Sequence, residues 1–103
     1  MTDRNGYSPS IMQTDDSCFL CGRTYGKLDR HEVFGGAYRQ KSKACGLWVL
    51  LCHDGCHLGK NGVHKNPARA LALRRLAQMD AMEKYGWSVE DFRRVFGKNY
   101  LEG

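Results

Sequence analysis

The stretch Leu47-Trp48-Val49-Leu50-Leu51-Cys52-His53-Asp54-Gly55-Cys56-His57 joins an uninterrupted apolar run to a knuckle of cysteines. The run is too short for most helices and is bounded by Gly46 and Cys52, so it reads as a strand buried on both faces. Upstream, Cys18-Phe19-Leu20-Cys21-Gly22 forms a second knuckle, in which two thiolates grip one ion and the glycine lets the chain turn back. One pair is separated by two residues and the other by three, and both spacings occur in structural zinc sites. The expected zinc ligands are therefore Cys18, Cys21, Cys52 and Cys56. His53 is an alternative to Cys52 or Cys56, because the second knuckle is one residue longer than usual. The plainer alternative is four unrelated buried thiols.

Composition supports the metal reading. A chain of 103 residues has room for only a small core, which a metal would reinforce. Its five cysteines are an odd number, which argues against a complete disulfide framework, and Cys45 is left over as a free thiol. The N-terminal residues lack the apolar core of a secretion signal, and no run approaches the roughly 18 apolar residues of a membrane span. The expected location is the reducing cytoplasm, where clustered cysteines are metal ligands.

Net charge is +5, and its distribution is informative. Residues 23–65 carry eight Lys/Arg against three acids, the same stretch that holds the cysteines and histidines. A polyanion such as nucleic acid is the natural partner for it.

Outward from the knuckles, residues 1–16 are polar and without period, and read as a flexible arm. Residues 28–34 read as a strand that pairs with 47–51 in a hairpin, bringing the cysteine pairs together. Between the strands, Gly35-Gly36 opens a loop carrying Tyr38 and the cations Arg39, Lys41 and Lys43, suited to phosphate contact and base stacking. His57, Asn61 and His64 stand at i, i+4 and i+7, which places them on one face of an irregular helical segment. Asn66-Pro67 starts a long helix that Gly86 stops, with a buried stripe expected at Ala72, Leu73, Leu76, Met79 and Met82. Ser88 caps a short helix holding Phe92, Val95 and Phe96, closed by Gly97. Arg74, Arg75, Arg93 and Arg94 read as a solvated face in preference to a nucleic-acid contact.

A histidine on a strand facing two more on the adjoining segment makes a workable nuclease site. Neutral imidazoles hold a divalent cation against the scissile phosphate, while another imidazole takes a proton from the attacking water. The plainer reading is that His57 or His64 completes the zinc site or hydrogen-bonds a loop.

In the order Cys18 to Cys21, His31-Glu32-Val33-Phe34, Gly35-Gly36, Leu47 to Cys52, Cys56-His57 and His64, residues 18–66 resemble the HNH (His-Me finger, ββα-metal) endonucleases of the small zinc-stabilised phage type. The resemblance implies an α+β fold: a zinc-bound ββα-metal module over 17–66, preceded by the arm 1–16 and followed by C-terminal helical support over 67–103. It implies hydrolysis of DNA phosphodiester bonds, with structural Zn2+ on the cysteines and a catalytic Mg2+ or other divalent cation on His57 and His64. His31 falls in the motif that supplies the general base. Alternatively His31 is a metal ligand and Glu32 stands at the base position. The expected catalytic set is His31, Glu32, His57, Asn61 and His64. The rival expectation is a catalytically inactive zinc module, in a bacterial host cell if phage-borne, that binds nucleic acid or a host protein.

Overall fold

A computed structural model describes residues 2–101. Its sheet has two antiparallel strands, β1 (Leu28–Glu32) and β2 (Trp48–Cys52), paired in the register Leu28↔Cys52, His31↔Val49 and Glu32↔Trp48. Three helices complete it: α1 (Arg39–Ala44), α2 (Pro67–Tyr85) and α3 (Val89–Phe96). The Cα radius of gyration is 13.2 Å, that of one folded domain of this length. No helix of the structure is long and apolar enough to cross a membrane.

The hairpin forms where the sequence places it, but its connection is not a loop. Gly36–Tyr38 make a 3-10 turn that runs into α1. Six residues with no apolar period gave no sign of a helix. The helix is tied down by Ser42, whose buried hydroxyl donates to Leu47 O (2.7 Å) and accepts from Phe34 N (3.2 Å). Its turn thus closes the hairpin from within.

Only one face of β2 is fully buried: Leu47, Val49 and Leu51 are sealed, whereas Trp48 and Leu50 are half-covered. What covers them is the segment read as a flexible arm. Ser10 Oγ donates to Trp48 O (2.7 Å), Trp48 Nε1 donates to Ser8 O (2.8 Å), and Leu50 N donates to Gln13 Oε1 (2.6 Å). Phe19 N donates to Leu50 O at 2.8 Å. Residues 8–19 therefore have no regular structure yet satisfy the open edge of β2, which would otherwise expose unpaired backbone groups. The arm is a strap.

The core gathers Phe34 from the end of the hairpin with Phe92 and Phe96 of α3, at ring separations of 4.6–5.5 Å. Helix α2 begins at the Asn66 cap with Pro67 in its first turn and stops at Gly86, in the left-handed conformation (φ +66°). Helix α3 has a reciprocal Ser88–Asp91 capping box and ends at Gly97. The buried stripe of α2 differs from the expected one. Leu73, Ala77, Gln78 and Ala81 face inward, whereas Ala72 is exposed and Leu76 and Met79 are 45% and 55% exposed. The aromatic cluster already fills the space beside α2, so alanines that let the helix come close take the inner face. Gln78 is satisfied there by Asn99 Oδ1 (2.8 Å) and Tyr100 N (2.7 Å), which fastens the C-terminal segment.

Candidate metal centres

The hairpin register sets Cys52 opposite Leu28, at the end of the sheet where the first knuckle enters. Sulfur atoms of Cys18, Cys21, Cys52 and Cys56 all lie within 4.8 Å of one another. The Cys21 and Cys52 sulfurs are 3.8 Å apart, which is about the edge of a tetrahedron whose ligands stand about 2.3 Å from a central zinc. Local backbone geometry prepares the site. Gly22, at φ +79°, returns the chain after the first knuckle, and its amide donates to Cys18 O (2.8 Å). Cys56 N donates to Cys52 Sγ (3.1 Å), and a β-carbon at Gly55 would meet that sulfur at 2.8 Å.

Electrostatics point the same way. Burial pushes the Cys18 thiol up, but backbone amides of Cys21, Cys52 and Leu20 outweigh it and bring it down to about 6. Burial, followed by the neighbouring sulfurs, pushes Cys56 up to about 12. Four crowded sulfurs resist joint ionisation unless a cation sits among them. All five cysteines are free thiols. This four-cysteine cluster is a fit metal site, and its donor set suits zinc.

A second convergence lies across the sheet. Ring nitrogens of His31, His57 and His64 all lie within 4.8 Å of one another. His31 comes from β1, His57 ends a single π turn (His53–His57), and His64 sits in the turns beyond. Those turns are held by Val63, which is buried and whose amide donates to Cys56 O (2.9 Å). Close packing here requires Gly62, where a β-carbon would meet His57 O at 2.7 Å.

His57 Nδ1 is 2.8 Å from Asp29 Oδ2, and the opposite nitrogen, Nε2, is 3.0 Å from His64 Nε2. Burial, then repulsion from the His57 and His64 charges, pushes His31 down to about 4. It is therefore a neutral imidazole at neutral pH. His64 is also held below the usual histidine range, first by burial and then by His57 and Arg74.

The other expected site residues are distributed differently. Asn61 does not join the histidines. The helical face that would unite them does not form, because the chain turns at Gly59 and Gly62, and Asn61 lies by Cys21 and Arg69 over the cysteine cluster. Glu32 borders the histidine cleft, but its carboxylate is held by Tyr7 Oη (2.8 Å) and Arg39 Nε (2.6 Å). Burial pushes that carboxyl up, yet these two partners outweigh it and hold it below the usual Glu range.

The three cations expected on a loop are on α1, and they divide. Arg39 lines the cleft, whereas Lys41 Nζ donates to Val95 O (3.2 Å) and the buried Lys43 lies 4.8 Å over the Tyr7 ring. Arg30 lines the cleft too, its guanidinium stacked 4.4 Å over Tyr7. His53 does not join the cysteine cluster; its Nδ1 faces Asp29 Oδ2 at 2.6 Å.

Two residues of the site escaped the sequence reading. Tyr7 gave no signal, being remote in the chain. Asp29 did give one: two positions before His31 on a strand, it must share that residue's face. Set against protein-family models, curated proteins and solved structures, the chain matches none of them.

Proposed function

We propose that this protein is a metal-dependent endonuclease of the HNH, ββα-metal kind, hydrolysing DNA phosphodiester bonds. The observation that carries the proposal is the meeting of three imidazoles at the mouth of an open cleft of about 360 Å³ walled by Arg30 and Arg39. In this reading the four cysteines hold a structural zinc and His57 and His64 hold a divalent cation. That ion, when bound, offsets the negative charge that builds on the phosphoryl oxygens. Imidazole donors suit Ni2+ or Zn2+ better than Mn2+ or Mg2+, and all four belong in the assay.

The chain's own groups supply the rest. His31 is neutral at neutral pH, and its ring nitrogen accepts the proton of the attacking water. Arg30 and Arg39 draw the phosphate backbone into the cleft. Glu32 is the weaker candidate for the base, because its lone pairs are engaged by Tyr7 and Arg39. It acts instead to hold Arg39 at the cleft wall.

One observation favours the second reading, an inactive zinc module that binds nucleic acid or a host protein. Among the described residues no hydrogen bond orients the His31 ring, and Leu47, where the family places an orienting Asn, is wholly buried. Plasmid nicking separates the two readings. Wild type should nick in at least one divalent ion, and His31→Ala should lose about 10²–10⁴-fold in rate with zinc content unchanged. Intact plasmid under every ion, with salt-sensitive DNA binding retained, would overturn the nuclease reading.

A further inference from the structure

We infer that Asp29 is the positioning residue of the histidine cluster, fixing which nitrogen of His57 is presented to His31 and His64. The inference rests on the reading of those histidines as a metal site, and it adds a residue that the sequence reading gave no role. A single oxygen, Oδ2, stands 2.8 Å from His57 Nδ1 and 2.6 Å from His53 Nδ1. An ionised carboxylate only accepts, so each ring must donate its Nδ1–H to it. His57 then has no proton on Nε2 in its neutral form, and that nitrogen offers a lone pair to the point shared with His64 Nε2 at 3.0 Å.

The arrangement is built into the fold. Asp29 is fixed by strand pairing with Leu51, its side chain is only 16% exposed, and its other oxygen, Oδ1, faces Lys27 Nζ at 3.8 Å. His53 and His57 are the first and last residues of the π turn that also contains Cys56 and follows Cys52. By holding both ends of that turn, Asp29 joins the histidine cluster mechanically to the cysteine cluster. A carboxylate behind a ligating imidazole orients the ring and raises its basicity, and losing one typically weakens metal binding about 10–100-fold.

The test uses protein carrying one zinc per chain and reads histidine tautomers by nitrogen-15 NMR at pH 8, with His57→Gln and His53→Gln spectra for assignment. Wild type should show His57 protonated on Nδ1 and bare on Nε2. Asp29→Ala should lose that preference and weaken Mn2+ binding about 10–100-fold by calorimetry, while zinc content stays at one per chain. Asp29→Asn keeps the shape and one acceptor oxygen, so its loss should be smaller. A wild-type His57 protonated on Nε2 would overturn the inference without need of any variant, as would an Asp29→Ala protein with unchanged tautomer and unchanged Mn2+ affinity. Wild type that shows the Nδ1–H tautomer but binds none of Mn2+, Ni2+, Mg2+ or a second Zn2+ would support the positioning role while sinking the metal-site reading.

Discussion

Stripping the metal from the cysteine cluster should unfold the whole domain, not merely loosen one corner. Cys18 and Cys52 are each 1% exposed and Cys56 is 8% exposed, so these sulfurs are part of the core as well as candidate ligands. A chain of 103 residues has a total stability of about 5–15 kcal/mol. A structural zinc contributes about 10–16 kcal/mol of apparent binding free energy, as much as that whole margin. Without the ion the two-stranded sheet has no cross-link at its open end, and a hairpin of two strands is marginal alone. Loss of the hairpin removes Phe34 and Leu47 from the aromatic cluster, so α2 and α3 lose their partners as well.

The size of the expected effect follows. Each kcal/mol is worth about 4–8 °C in a domain of this size, so even a third of the zinc term lowers Tm by about 13–43 °C. Metal analysis should give one zinc per chain, and thermal melting by circular dichroism should lose cooperativity after treatment with a strong chelator. Cys52→Ser should behave like the chelated protein. Cys45→Ser, outside the cluster, should melt within a few degrees of wild type. A purified protein free of zinc, melting cooperatively at the same temperature before and after chelation, would refute the reasoning.

Phe92→Ala removes a ring that is 0% exposed and touches Phe34 and Phe96, and should cost about 3–5 kcal/mol in denaturant unfolding. Met79→Ala, on the outer face of α2, should stay within about 0.5 kcal/mol, and a loss comparable to that at Phe92 would show that the inner face has been misassigned. Gly46 sits at φ +73°, where a β-carbon would collide with Pro9 O. Gly46→Ala should therefore cost about 1–3 kcal/mol and speed amide exchange at Ile11, which donates to Gly46 O, and at Leu50, where the strap meets β2. Unchanged exchange at those two amides would mean that the strap does not depend on this close approach.

The sequence made the hairpin, the four-cysteine cluster and the two capped C-terminal helices legible because each carries a local signature. Spacing identifies the knuckles, an apolar run identifies β2, and Asn66-Pro67 and Ser88 announce helix starts before Gly86 and Gly97 end them. What it hid depends on contacts between distant segments. Gln13 and Ser10 look like any polar residues until Leu50 and Trp48 need partners for their edge groups. On α2, Leu73 is buried as expected and Met82 packs against the core, but between them Leu76 with Met79 and Ala77 with Gln78 are both plausible inner positions by period. Only the room left by the aromatic cluster decides between them. Asn61 stands apart from the histidines for a local reason, since Gly59 and Gly62 both oppose a continuous helix.

The order Asp29-Arg30-His31-Glu32 shows how far one backbone period reaches. Alternate residues of a strand face opposite ways, so Asp29 and His31 go to the His57 side. Arg30 and Glu32 go to the Tyr7 side, where one stacks on the ring and the other accepts from its hydroxyl. Read along the chain, the four residues look like one polar motif in which any member is a candidate ligand. On the strand they are two separate sets. A register slip of one residue would exchange the sets and put a guanidinium where an imidazole now stands, and a cation cannot ligate a metal. The register is pinned at its open end by the pairing of Leu28 with Cys52 and by His53 N donating to Lys27 O at 2.9 Å, next to the cysteine cluster. The cysteine cluster therefore does more than add stability: by fixing where β2 ends, it determines which side chains of β1 face His57, while Arg30 and Glu32 border the same cleft from the Tyr7 side.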